Sequence, residues 1–199
     1  MNAIIPGLLS MFFWGIAIFL AAIASRKIGN LLTLFWMMVF GFIVGGAYYS
    51  FNSTTLSSPL IVKFFPVIIV IALLQIIAYL AFYKGLEKGQ VSLVSPLGAS
   101  WGLITAILSI IFYHELVTGS QIVAIILIIF GIIALSVDIK QLLRSKQVKV
   151  FAGVPEGIIS MLGWGVSLFF LTGPTRGVNW FLPTLLFRIF LVGFLSIYL

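Results

Sequence analysis

The chain has 199 residues, 62% of them hydrophobic and 8% charged, with a mean hydropathy of +1.29. Water-soluble domains carry about 25% charged residues, so the composition excludes a water-facing surface and requires an integral membrane protein. The formal net charge of +7 does not imply nucleic acid, because the basic residues fall between apolar runs instead of forming a stripe on a polar domain. The absence of cysteine removes disulfides, thiolate metal sites and cysteine nucleophiles.

Seven apolar segments, 4–24, 31–50, 61–83, 91–113, 119–137, 156–173 and 180–199, come near the length that crosses hydrocarbon as a helix. Strand-type alternation is absent, and backbone groups in lipid must be satisfied internally, so the spans are helices. The first segment follows Met1-Asn2 with no basic region before it, which suits a span and not a signal peptide. It contains "GLLSMFFWGIAIFL" at 7–20, and the sixth contains "GIISMLGWGVSLFF" at 157–170. Trp14 and Trp164 correspond, both mid-span and both followed by glycine. They either pack repeat against repeat or line a shared cavity. The echo continues in Arg26 and Arg176, and in "TLFWM" at 33–37 and "TLLFR" at 184–188.

In the third segment Gln75, Tyr79 and Tyr83 share one face at a spacing of four. An amide in lipid turns inward, either to bond a neighbouring helix or to line a cavity. Tyr83 fits that stripe or the interfacial aromatic belt. The fourth segment has Pro96, which bends a helix. It also has a small-residue ridge of Ser95, Ala99, Gly102 and Ala106 suited to close packing. Its other stripe carries Gly98, Trp101 and Thr105, with Trp101 far from the ends where tryptophans anchor.

Five spans precede the second copy of the opening phrase. Five is odd, so the copy re-enters from the opposite face, as in inverted-topology repeats. The expected architecture is an all-α membrane bundle with inverted five-helix repeats, the second incomplete. Residues 1–138 form the first unit, 139–155 a basic linker loop, and 156–199 the two-helix start of the second. The end on "FLVGFLSIYL", without a polar tail, predicts that the sequence is a fragment.

Residues 83–135, "YKGLEKGQVSLVSPLGASWGLITAILSIIFYHELVTGSQIVAIILIIFGIIAL", resemble the EamA-like family of drug/metabolite transporters. The resemblance rests on the short turn after the third helix, Pro96, Glu115, Gln121 and Gly131, and on the Trp-Gly openings at 14–15 and 164–165. It implies ten helices in two inverted halves around a cavity for a small metabolite. Arg188 matches the family's arginine in the second helix of a unit, whereas Met37 stands at the corresponding place in the first.

Catalysis is not expected. The single histidine, His114, and the acidic residues Glu87, Glu115, Asp138 and Glu156 lie near span ends. No metal-ligand cluster, nucleophile elbow or phosphate loop is written in the chain. The cavity candidates are Trp14, Gln75, Tyr79, Trp101, Thr105, Trp164 and Arg188. Arg188 lies several residues inside its span, where a cation costs about 2.5 kcal/mol or more. It either snorkels to the interface or faces inward to an anionic group. Glu115 reads as an interfacial carboxylate that helps start the fifth span, or as a gating or proton-coupling group.

The expected function is carriage of a small organic metabolite, an amino acid or related compound leaving the cell, by alternating access in the cell membrane. No cofactor is implied. The partners are the metabolite, membrane lipid and a coupling proton or ion, with a homodimer as one candidate assembly. The alternatives are a non-transporting membrane scaffold or chaperone subunit, and an intramembrane enzyme. Arg26, Lys27, Lys84, Lys88, Lys140, Arg144, Lys146 and Lys149 fall on one side, against Lys63 and Arg176 on the other. By the positive-inside rule the amino terminus is then outside, although members of the family usually have it in the cytoplasm.

Overall fold

A computed structural model describes residues 4–51, 59–114, 116–136, 152–178 and 181–199. Its elements are α1 (Ile4–Ile28), α2 (Asn30–Phe51), α3 (Pro59–Lys88), α4 (Val91–Ala99), α5 (Trp101–Tyr113), α6 (Gly119–Ser136), α7 (Val154–Val178) and α8 (Phe181–Tyr198). Among the described residues five helical stretches are long and apolar enough to cross a membrane: Ile5–Ile28, Asn30–Phe51, Val62–Lys88, Val91–Tyr113 and Val154–Thr172. Shorter apolar stretches, Gly119–Gly131 and Thr184–Tyr198, stand where the fifth and seventh spans are predicted. The linker at 139–155 lies mostly outside the described residues, which resume at Ala152.

Two helices run further than the sequence suggests. α1 continues past residue 24 to Ile28, and Gly29 alone separates it from α2, at φ 85°. That left-handed turn is cheap for glycine. The extra turn of α1 carries Arg26, whose Nε and Nη2 donate to the carbonyls of Leu86 and Gly89 at 3.3 and 2.8 Å. Those carbonyls belong to the end of α3, where helical acceptors lack intrahelical partners. α3 itself extends to Lys88, a turn beyond the predicted limit at 83.

These contacts fix the direction of each helix. α1 and α3 end together. α7 begins at that same end, where Lys88 of α3 forms an ion pair with Glu156. The approach is backbone to backbone: a Cβ on Gly89 would come within 3.0 Å of the Gly153 Cα. At the opposite end the Tyr113 hydroxyl of α5 lies 3.2 Å from the Thr172 hydroxyl of α7. α1 and α7, the two helices with the matching phrase, therefore run in opposite directions. α8 ends beside Asn30, where α2 begins, so that pair is opposed too. Arg26, Lys27, Lys84 and Lys88 gather at the end where α1 and α3 finish, and Lys63 stands at the other.

The core forms around α3, which packs against α1, α2, α7 and α8. Its Ile71, Gln75, Ala78, Phe82 and Leu86 are buried. α4 and α5 pack against α7, with α4 also touching α3, leaving α1 at the margin of the bundle.

Candidate functional site

The fourth predicted span is two helices, and the break shapes the site. Pro96 has no N–H to continue the ladder. One turn later the Ser100 N–H bonds the Leu97 carbonyl at 3.1 Å, and its hydroxyl donates to the Pro96 carbonyl. The irregularity thus sits at Ser100, between Ala99 and Trp101, and both of these line a cavity. The break expected at Pro96 falls one turn beyond the proline.

That cavity has two lobes of about 420 and about 430 Å³ sharing a wall of Trp14, Ile18, Tyr79, Phe82, Trp164 and Arg188. The first lobe also reaches Ser10, Gln75, Trp101 and Thr184. The second reaches Thr33, Met37, Gly41 and Tyr83. Of the residues nominated from sequence, Trp14, Gln75, Tyr79, Trp101, Trp164 and Arg188 line it, drawn from α1, α3, α5, α7 and α8.

Thr105 does not line the cavity. Its hydroxyl lies 3.2 Å from the Trp101 carbonyl and 3.0 Å from the Gly165 carbonyl, donating to both, so it straps α5 to α7. Glu115 lies outside the described residues. The start of α6 is closed by Thr118 and Gln121 instead: the Thr118 N–H donates to Gln121 Oε1 at 2.8 Å, and the Gln121 N–H to Thr118 Oγ1 at 3.4 Å. This is a capping box.

Gln75 Nε2 donates to Ser167 Oγ at 2.9 Å, fully buried, and Ser167 Oγ in turn donates to the Trp164 carbonyl at 3.0 Å. Both readings of Gln75 therefore hold, because it bonds α3 to α7 and also lines the first lobe. Tyr79 and Phe82 pack against Trp164 with ring centroids 5.1 and 4.9 Å away. The Trp164 Nε1 is buried without an acceptor. Tyr83 belongs to the inward stripe of α3. It is buried and its hydroxyl donates to the Met37 sulfur.

Arg188 faces the interior. Its guanidinium lies against Gly41 of α2, where a Cβ would collide with it. It makes no hydrogen bond or ion pair among the described residues, and its ring contact is with its own neighbour Phe187 at 5.9 Å.

Sequence reasoning missed Phe82, Ser167 and Gly41. Ser167, a hydroxyl in mid-span, was the available signal. The small-residue ridge also behaves otherwise than expected. Ala99 lines the cavity and Gly102 has open space before it, whereas Gly98 of the other stripe is packed by Phe82 and Trp164.

The EamA-like transporter family matches residues 1–137. An uncharacterized protein of Methanocaldococcus jannaschii is 37% identical over 138 residues, covering 69% of this chain and 98% of the relative. No solved structure matches. With its membrane-length helices and the family match over its first five predicted spans, the chain belongs to the EamA-like transporter family and is a multi-pass integral membrane protein.

Proposed function

We propose that the protein carries a small organic metabolite, an amino acid or related compound leaving the cell, by alternating access across the cell membrane. The observation that carries this reading is the two-lobed cavity, whose wall is shared by α1 and α3 of the first unit and α7 and α8 of the start of the second. A site between two units of opposite direction is what rocking of one unit against the other exposes to alternate sides. The units in this reading are 1–138 and 156–199, joined by the loop between. Energy comes from the substrate gradient or from a coupled proton or ion.

The scaffold alternative would be favoured by Gln75 facing lipid or pairing with Arg188. Gln75 bonds Ser167 instead, which favours the carrier. The amino terminus is read as outside, from the basic residues at the end where α1 and α3 finish.

The test is uptake and counterflow of a metabolite panel in proteoliposomes. Saturable counterflow of at least one compound, reduced by Trp101→Ala, is expected. Flux no greater than in protein-free liposomes across the panel overturns the reading. Single cysteines at Asn52 and Ser145, in a chain with no natural cysteine, test the orientation. An impermeant maleimide on intact cells should label Asn52→Cys and spare Ser145→Cys; the reverse pattern inverts the topology.

A further inference from the structure

Among the described residues no acidic side chain stands beside Arg188. The described acidic side chains are Glu87 and Glu156. Both lie at the end where α1 and α3 finish, Glu156 in its ion pair with Lys88 and Glu87 accepting from the Asn30 N–H at 3.3 Å. Arg188 stands in the wall shared by both lobes, with neither hydrogen bond nor ion pair to any described residue. A cation at this depth is held there only at a cost, and intramembrane ionisable residues otherwise pair.

The guanidinium packs against the α2 backbone at Gly41. Gly41 leaves the slot on α2 that it occupies, and any larger residue would close that slot. A second donor in the same wall also lacks an acceptor, the buried Nε1 of Trp164. The described wall thus holds a cation and a further donor but no carboxylate; its acceptors, the Gln75 amide oxygen and the Tyr79, Ser10 and Thr184 hydroxyls, are all neutral. The rest of the shared wall is Trp14, Tyr79, Phe82 and Ile18, with Trp101 adding a further ring in the first lobe.

We propose that the cavity is a site for an organic monoanion, with a carboxylate on the Arg188 guanidinium and the apolar body of the ligand against the surrounding rings. A guanidinium takes a carboxylate through two parallel N–H bonds. A single cation neutralises a single negative charge. A phosphate dianion would keep an uncompensated charge in a low-dielectric site. An ammonium group would find no carboxylate in the cavity wall and would be repelled by Arg188, so a plain acid binds better than the matching amino acid. The inference rests on the carrier reading for what the cavity is for, and within its small organic metabolites it favours an acid without an ammonium group over an amino acid.

The test is calorimetric titration of the whole chain in nanodiscs with four matched compounds. These are 3-phenylpropionate, its amide, phenylalanine and phenyl phosphate. The carboxylate should bind roughly tenfold to a hundredfold tighter than the amide, the range expected of a charge-assisted hydrogen bond. Arg188→Gln should erase that preference. Gly41→Ala leaves the cation in the chain but displaces it from its slot, so it should weaken the carboxylate while leaving the amide unchanged. Equal binding of the amide, tighter binding of phenylalanine or of phenyl phosphate, no binding by any of the four, or a preference that survives Arg188→Gln each overturns the proposal. Counterflow of 3-phenylpropionate separates the two readings. Selective binding without flux keeps the anion site and removes the carrier, whereas flux of neutral compounds without selectivity keeps the carrier and removes the anion site.

Discussion

The phrase written at 7–20 and again at 157–170 makes the same helix twice and gives it two different surroundings. In α7 the phrase is interior: Ser160 and Ser167 are fully buried, Trp164 is 7% exposed, and Gly165 receives Ile104 and the Trp101 carbonyl. In α1 it is marginal: Ser10 is exposed, Trp14 is 53% exposed, and nothing lies within 4 Å of a Cβ on Gly7 or Gly15. The difference follows from the neighbours. α7 is embraced by α3, α4 and α5, whereas α1 meets α2 and α3 on one side. Intrinsic propensity and span length come with the letters, but burial comes from which helices stand beside them. Both tryptophans nonetheless reach the same cavity wall.

The largest expected contrast is between the tryptophans. Trp164→Ala removes a ring packed on Tyr79 and Phe82, and truncating a buried tryptophan costs about 3–5 kcal/mol. For a chain of this size that is a fall in Tm on the order of 10 °C. Trp14→Ala should change Tm by a small fraction of that. Equal losses in detergent-solubilised protein would mean that α1 is packed as tightly as α7.

The glycines after them come next. Gly165→Ala places a Cβ 2.9 Å from the Trp101 carbonyl oxygen and closer still to Ile104. Overpacking of this kind costs about 1–3 kcal/mol. Gly15→Ala meets nothing and should be neutral or slightly stabilising, since alanine is the better helix former. A thermal melt in which Gly15→Ala loses as much as Gly165→Ala breaks the comparison.

The sequence shows the helices because lipid allows few alternatives. It shows Gln75, Trp164 and Arg188 because an amide, a mid-span indole and a cation each have reason to turn inward. Thr105 misled for a physical reason: a threonine hydroxyl can be satisfied by its own helix, here the Trp101 carbonyl, so its polarity carries no direction. Tyr83 could not be assigned from the letters between the inward stripe and the interfacial belt; the ring is buried more than a turn before the end of α3 at Lys88. Gly41 gave no signal at all, since glycine is common in membrane helices; its role exists only once α8 lays Arg188 against it. The side of α7 that faces α3 could not be read either, because the same letters in α1 also meet α3 yet stay largely exposed.

The smallest contrast is at the position where the two copies differ in polarity, Ala17 in α1 and Ser167 in α7. Ser167→Ala removes the acceptor of the Gln75 amide and leaves that donor buried beside the cavity. Interhelical hydrogen bonds in membrane proteins average about 0.6 kcal/mol and reach about 1.7, and an orphaned amide favours the upper part of that range. The expected result is a loss of about 1 kcal/mol, read as a fall in Tm of about 2–4 °C. Ala17→Ser should do nothing measurable, because residue 17 is exposed and a serine hydroxyl there can bond the carbonyl of its own helix one turn back. Gln75→Leu in the Ser167→Ala background sharpens the test. If the cost of Ser167→Ala comes from stranding the amide, removing the amide restores most of the loss, since an apolar pair has nothing left unsatisfied. If the double variant is as unstable as the sum of the two single ones, the Gln75–Ser167 bond is not what distinguishes the buried copy of the phrase from the exposed one.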